Sequence, residues 1–274
     1  MSVFPPPAFS SIDMIRLNHV RRPAGEIGHI VYRFPEVDST NRVIADLGQA
    51  GARAGTVVVA DHQTAGHGKG DRFWFSRPGG GLCLSLLLRP SRPLEEIFQV
   101  TLVLAVAAVE AIVRVSGVNV QVKWPNDLLV GGRKLCGILS ELVLTPENEM
   151  AYVLSGIGIN VNLTEEDFPD VLKDVGTSLQ MEAGRPIDRF ALFSELLNEF
   201  DRWVKTWERE GFGPVREAWA RHSCTLGRVV SLESGKTRCQ GVAVDLGDDG
   251  SLSVRDESGN IHRFYQGETR LLAA

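Results

Sequence analysis

Apolar residues recur along this chain at two different periods, and the changes from one to the other outline its elements. Val43, Ile44, Leu47 and Ala50 return every three or four positions, the spacing of a single helical face. Ser39 or Thr40 can cap that helix, and Gly51 ends it. TVVVA (Thr56–Ala60) and LCLSLLL (Leu82–Leu88) are instead short continuous apolar runs, which predict two strands joined by the polar loop between them. Leu94–Val115 predicts a long amphipathic helix covering the sheet. Ile187–Trp207 predicts another, with Phe190, Phe193, Leu196, Leu197, Phe200 and Val204 on its buried side, followed by a short helix around Pro214–His222. From Gly227 onward short alternating runs are broken by turns at Glu233–Lys236, Gly247–Gly250 and Ser258–Asn260, the pattern of a small β-barrel. The expected division is therefore an extension at 1–29, holding the Pro5–Pro7 cluster and Arg21–Arg22, a main domain at 30–225 and a small β-domain at 226–274.

Two segments break these patterns with chemistry. Lys123–Glu141, KWPNDLLVGGRKLCGILSE, sets Lys123, Asp127 and Lys134 into an otherwise apolar stretch, and buried charges need partners or a polar ligand. Gly131 and Gly132 form a two-residue hairpin turn that puts Asp127 and Lys134 on neighbouring antiparallel strands, within reach of one pocket. Asp61–Ser76, DHQTAGHGKGDRFWFS, combines Gly66, Gly68 and Gly70, which let backbone amides approach an anion, with His67, Lys69 and Arg72 as donors and positive charge. GHGKGD fits neither the phosphate-loop nor the dinucleotide fingerprint, and a solvated surface loop has the same composition.

Composition narrows the class. The 274 residues are enough for one large and one small domain, and a formal net charge of −5 leaves no basic stripe for a general nucleic-acid binder. Cys83, Cys136, Cys224 and Cys239 have no metal-ligand spacing and read as small buried hydrophobes. Val100–Val113 is too short to cross a bilayer and Glu110 interrupts it, while the N-terminus lacks the pattern of a secretory signal; a cytoplasmic protein is expected.

Four segments in order, DSTN (Asp38–Asn41), QTAGHGKGDRFW (Gln63–Trp74), KWPNDLLVGGRKLCGIL (Lys123–Leu139) and GIGINVN (Gly156–Asn162), make the chain resemble biotin protein ligases, the enzymes that activate biotin with ATP and attach it to a carrier lysine. KWPND followed by RKLCGIL is the most specific of them. The resemblance implies an α+β fold, a mixed and mainly antiparallel sheet packed with helices as in class II synthetase-like ligases, with a C-terminal β-barrel. It also implies the enzyme-only form, without an N-terminal DNA-binding module; neither DNA nor membrane is an expected partner, on the charge and the short apolar stretch given above. Lys134, Asp127 and Lys69 are the implied catalytic residues. Ser39, Thr40, Asn41, Gln63, Gly66, His67, Gly68, Lys69, Lys134, Gly137, Gly156 and Gly158 would hold biotin, with Leu135 beside its tail. Lys69, Arg72, Trp74, Lys123, Asn126, Lys134 and Asn160 would hold ATP. Magnesium is expected with the phosphates, although the sequence has no metal motif. Asp127 is a candidate to take or electrostatically ease the proton of the acceptor lysine or, alternatively, only to orient Lys123.

The implied partner is a biotin carboxyl carrier protein domain, and a sheet edge near Leu82–Leu88 would allow a homodimer. One departure stands out: where the family usually reads GRGR, this chain reads Gly66, His67, Gly68, Lys69. Two rival readings remain open, a lipoate or octanoate ligase of the same fold, which handles a fatty chain without a ureido ring, and a non-catalytic biotin-binding regulator.

Overall fold

The computed structural model describes residues 26–70 and 72–272. The chain opens with a crossover unit, β1 (Ile30–Val37), α1 (Thr40–Gln49) and β2 (Thr56–Gln63), whose strands pair in parallel. Next come β3 (Gly81–Leu88), α2 (Gln99–Ser116), β4 (Gln121–Lys123), β5 (Asp127–Val130), β6 (Arg133–Leu144) and β7 (Met150–Asn160). Every further pairing is antiparallel, in a seven-stranded sheet of order β1-β2-β3-β7-β6-β5-β4. Short helices α3 (Asp170–Lys173) and α4 (Leu179–Ala183) lead into α5 (Arg189–Glu210) and α6 (Gly213–His222). A second sheet holds β8 (Val229–Ser234), β9 (Thr237–Leu246), β10 (Leu252–Arg255), β11 (Ile261–Phe264) and β12 (Glu268–Leu271). The mixed, mainly antiparallel α+β architecture is the expected one.

Strand alternation gives the large sheet two unlike faces. Leu82, Leu84, Leu86 and Leu88 of β3, with Val153, Ile157 and Ile159 of β7, join residues of α2, α5 and α6 in the main core. On the other face Leu87, Tyr152 and Leu154 pack against Val43, Ile44 and Leu47 of α1. Further along that face the side chains run out, leaving Ser85, Gly156, Gly158 and Gly137 on adjacent strands. This bare end of the sheet is where a ligand can lie.

Several expectations need correction. The C-terminal sheet is open, not a barrel: its order is β11-β10-β9-β8-β12, and the four-residue β11 and β12 share no ladder. Leu82–Leu88 is not an edge, because β3 is flanked by β2 and β7 and is buried along its length, so no second copy can pair there. The α2 helix is apolar all round rather than amphipathic, being packed between the sheet and the α5 and α6 helices. Its 18 residues reach membrane-spanning length and composition, contrary to the expectation from the shorter Val100–Val113 window, yet most of that helix is buried inside the fold. Phe190 lies at the start of α5 and is 49% exposed, while the other five residues named on its buried side are in the core. Ala50 is the exposed C-cap of α1 and does not join its apolar face. Ile27 is buried in the main core, and the backbone amides of Glu26 and Ile27 donate to Asp201 Oδ1, so residues 26–29 belong to the main body. The expected extension otherwise falls outside the described residues.

The helical layer is tied to the second sheet through a buried glutamine of α2. Trp207 Nε1 of α5 donates to Gln99 Oε1 at 2.7 Å, and Gln99 Nε2 donates to the Asp249 carbonyl of the second sheet at 3.3 Å. Replacing Gln99 by Met keeps the volume but orphans both partners, and each unmade buried hydrogen bond costs about 1–3 kcal/mol. Gln99→Met is expected to destabilise the fold by about that amount or more, read as a lower urea midpoint at unchanged slope.

Candidate active site

The glycine face is the floor of a cavity of about 660 Å³, walled by the N-terminus of α1, the 63–76 loop, the β5–β6 hairpin, the 168–176 segment and β12. That size is within the range of small-molecule sites. Gly131 and Gly132 have φ of 56° and 83°, the left-handed values that a two-residue hairpin turn requires, and the turn joins β5 to β6 as expected. One step along, Leu128 and Leu129 pair with Cys136 and Lys134, leaving Leu135 as the extra residue of a β-bulge. The bulge reverses the alternation. Leu135 shares its parity with Gly137 but turns into the main core, fully buried, so it does not line the cavity as expected. Lys134 takes its place on the cavity side. Its backbone is clamped there, its amide donating to Val175 O at 2.7 Å and its carbonyl accepting from Thr177 N at 2.9 Å.

Asp127 joins the two lysines of the motif. Lys134 Nζ lies 2.6 Å from Oδ1 and Lys123 Nζ 3.0 Å from Oδ2. Burial alone would raise the Asp127 carboxyl, but Lys134 and Lys123 more than offset it and hold it below its ordinary range. The result is a fixed cation–anion–cation row along one wall.

The opposite end is polar and buried. Ser39, Thr40 and Asn41 are all under 10% exposed at the start of α1. Ser39 occupies the N-cap position but its side chain makes no capping bond, contrary to expectation. Gln63, from the end of β2, accepts instead: its Oε1 takes the Thr40 amide at 2.7 Å and the Thr40 hydroxyl at 2.9 Å. Ser39 is thereby left to line the cavity, with Oγ 3.5 Å from His67 Nδ1.

Between these ends lies Trp74. A Cβ on Gly158 would sit 2.3 Å from its indole, and one on Gly137 would sit 3.2 Å away, so these glycines are what lets the ring lie on the sheet. Trp74 is a half-buried residue of the cavity wall and not a core aromatic. Lys69 Nζ donates to Gly267 O at 3.1 Å; burial and the neighbouring Arg72 both push its pKa down, against Glu268 and Asp127, which raise it. Arg72 pairs with Glu268 at 3.4 Å, so the basic loop is fastened to the second sheet.

His67, Gly68, Lys69, Arg72, Lys123, Asn126, Gly137, Gly156 and Asn160 all line the cavity. Gly66 does not. It is buried under Gln63 and Trp74, where its carbonyl accepts the Trp74 amide, and a Cβ there would meet both neighbours at 2.8 Å. Absent from the expected set are the lining residues Phe73, Phe168, Leu172, Val175, Glu268 and Arg270, and Ser85, which backs Thr40 and Asn41. Ser85 carried a signal as the one polar residue inside LCLSLLL, and Phe73 lies between Arg72 and Trp74 in the loop singled out above. Among the described residues no group of three or more metal-ligating side chains comes together, and Asp127 is already neutralised. The described residues therefore form no magnesium cage of three or more such ligands.

The model of the Biotin/lipoate A/B protein ligase family matches residues 34–160. The bifunctional ligase/repressor BirA of Bacillus subtilis (strain 168) is 37% identical over 243 residues, covering 89% of this chain and 74% of BirA. The chain belongs to the biotin protein ligase family. Among its other relatives in that family, the biotin–[acetyl-CoA-carboxylase] ligase of Paracoccus denitrificans is 30% identical over 81% of this chain and 92% of its own length. A biotin protein ligase from Aquifex aeolicus, solved in complex with biotin and ATP, superposes with a TM-score of 0.77 at 30% identity, covering 89% of this chain and 99% of that one.

Because its pKa is depressed, Asp127 favours the folded state wherever it is ionised. Its contribution is fully present above the ordinary value of 3.8 and is lost as pH falls below that through the lower folded value. The stability difference between the unsubstituted chain and Asp127→Asn is expected to be constant near neutrality and to shrink below about pH 4, measured as denaturant midpoints across pH.

Proposed function

We propose that this biotin protein ligase forms biotinyl-5′-AMP from biotin and ATP and transfers the biotinyl group to a lysine of a biotin carboxyl carrier protein domain. The observation that carries the reading is the Lys123–Asp127–Lys134 row beside an apolar floor and a buried polar end, in one cavity. Bringing a carboxylate up to a triphosphate sets two anions against each other, and fixed cations in a partly dry site offset that repulsion most where charge develops. A carboxylate oxygen of biotin attacks the α-phosphorus, the bond to the β-phosphate breaks, and pyrophosphate leaves. In the second step the lysine amine attacks the acyl carbon, AMP leaves, and the amine's proton goes to solvent.

In this assignment Lys134 stands between biotin carboxylate and α-phosphate, with Lys69, Arg72 and Lys123 as further cations. Ser39, Thr40, Asn41, Gln63 and His67 face the ureido ring, and Gly137, Gly156 and Gly158 give the tail a floor without side chains. Trp74, Asn126 and Asn160 lie toward the nucleotide. Asn160 donates its amide nitrogen to Thr177 O at 3.0 Å, which favours use of its carbonyl oxygen for the adenine edge. Lys69, where the family usually has arginine, offers a point charge rather than a two-pronged fork. No step is assigned to magnesium, for which the described residues form no cage. The buried polar end disfavours a fatty acyl substrate, which has no donors or acceptors to match it.

For Asp127 the depressed pKa favours positioning over proton transfer, since a carboxylate held below its ordinary range is a weak base. Asp127→Asn is therefore expected to slow adenylate synthesis and transfer from preformed biotinyl-5′-AMP by similar factors; a loss confined to transfer would restore the general-base role.

The reading as a whole is tested by biotin-dependent pyrophosphate release followed by labelling of a carrier domain. Lys134→Ala is expected to lower the first rate on the order of a hundredfold or more with the fold retained. Release at the unsubstituted rate in that variant would refute the assignment of Lys134, and release driven by lipoate but not by biotin would refute the substrate.

A further inference from the structure

The polar end of the cavity is held by a chain of hydrogen bonds that reaches beyond the cavity lining. Asn41 Nδ2 donates to Glu141 Oε2 at 3.1 Å. Ser85 Oγ stands 2.6 Å from Asn41 Oδ1 and 2.8 Å from Thr40 Oγ1, and its single proton can go to either of them. The Thr40 hydroxyl donates in turn to Gln63 Oε1, which also accepts the Thr40 amide. Ser85 is fully buried, and Thr40 and Asn41 nearly so. Glu141 follows the glycine-bearing stretch of β6 and is not among the cavity-lining residues.

The two ends of this chain fix how the Asn41 and Gln63 amides are turned. An ionised carboxylate can only accept, so Glu141 obliges Asn41 to turn its amide nitrogen outward and its carbonyl oxygen toward Ser85. A backbone N–H can only donate, so the Thr40 amide obliges Gln63 to point its oxygen inward and leaves its nitrogen for the other side. Gly156 allows the inner geometry, since a Cβ there would stand 2.3 Å from Asn41 Oδ1. With Asn41 reversed, its nitrogen would face the Ser85 hydroxyl, and Ser85 would pass its proton to Thr40 alone. The pattern of donors and acceptors offered to a ligand head group thus depends on the charge at position 141.

We propose that Glu141 is a positioning residue for head-group recognition, acting through Asn41 and Ser85 rather than by touching the ligand. The inference rests on the assignment of this end to the ureido ring of biotin. It separates recognition of the ring from the anion chemistry at the Lys134 end, so loss of Glu141 should weaken biotin binding and leave the chemical step intact.

The test is steady-state pyrophosphate release by the full chain and by Glu141→Gln and Glu141→Ala, with KM measured separately for biotin and ATP. Glutamine keeps the shape and can still accept, but its amide can also donate, so Asn41 is free to reverse. The expected result is a biotin KM raised about tenfold in Glu141→Ala and at least threefold in Glu141→Gln, with kcat and the ATP KM within about twofold. Unchanged biotin KM in both variants overturns the inference while leaving the functional reading standing. A parallel fall in kcat, a rise in both KM values and a lower Tm would overturn it in favour of a purely structural role. Absence of biotin-dependent turnover in the unsubstituted chain overturns the functional reading, and this inference with it.

Discussion

Two ammonium groups held in a half-buried cavity repel each other and lose hydration, and both effects are unfavourable unless an anion stands between them. Asp127 is that anion. It bonds Lys134 and Lys123 through separate oxygens, and its own burial is offset by the same two lysines, so each charge in the row depends on its neighbours. Removing one member of such a row leaves an uncompensated charge, which costs more than the row contributes when whole. The rest of the site is arranged around keeping it in place. The β-bulge at Leu135 turns Lys134 out of the core, and the 175–177 segment clamps its backbone from the other side.

A flat floor is the second requirement, and the sheet meets it by leaving side chains out. Gly137 and Gly158 are paired on adjacent strands, and Gly156 of β7 is paired with Ser85 of β3. On the opposite face the same strands carry Leu84, Ile138, Ile157 and Ile159 into the core, so stability is gathered on one side and access on the other. A Cβ at Gly156 would press on Asn41, and one at Gly158 would press on Trp74. The glycines therefore set the position of the polar end and of the aromatic wall together, although neither Asn41 nor Trp74 is close to them in sequence.

This division explains what could be read from the chain beforehand. The strands, the two long helices and the glycine hairpin follow from local period and turn chemistry, and Asp127 meets Lys134 because a two-residue turn fixes their separation. Leu135 was misplaced because period-two alternation holds only until a bulge interrupts it, and a bulge is decided by packing across the strand pair. Phe190 was misplaced for a related reason: it shares the apolar spacing of α5 but falls in the first turn, past the edge of what the helix packs on. Phe168, Val175, Glu268 and Arg270 come to the cavity from distant loops and from the second sheet, and nothing local marks them, whereas Phe73 lies between Arg72 and Trp74 in the loop already singled out. The open form of that sheet was likewise hidden, since short alternating strands with turns look alike whether or not their edges meet.

The second sheet does more than terminate the chain. Lys69 reaches the carbonyl of Gly267 and Arg72 pairs with Glu268, while Glu268 and Arg270 themselves face the cavity. The basic loop is thus fastened to an element that is tied to the helical layer through Gln99 and Asp249. An arginine at position 69 would present a wider planar fork to the same carbonyl, whereas lysine makes one bond through a single nitrogen and keeps a compact charge. Its pKa is lowered because burial and Arg72 outweigh the carboxylates of Glu268 and Asp127. A ligand phosphate arriving beside Lys69 would reverse that balance by adding a nearby negative charge, and the ammonium would then be held by the ligand as well as by Gly267. Loop, second sheet and ligand would share one charge network, in which the loop's hold on the ligand strengthens as the ligand's negative charge approaches.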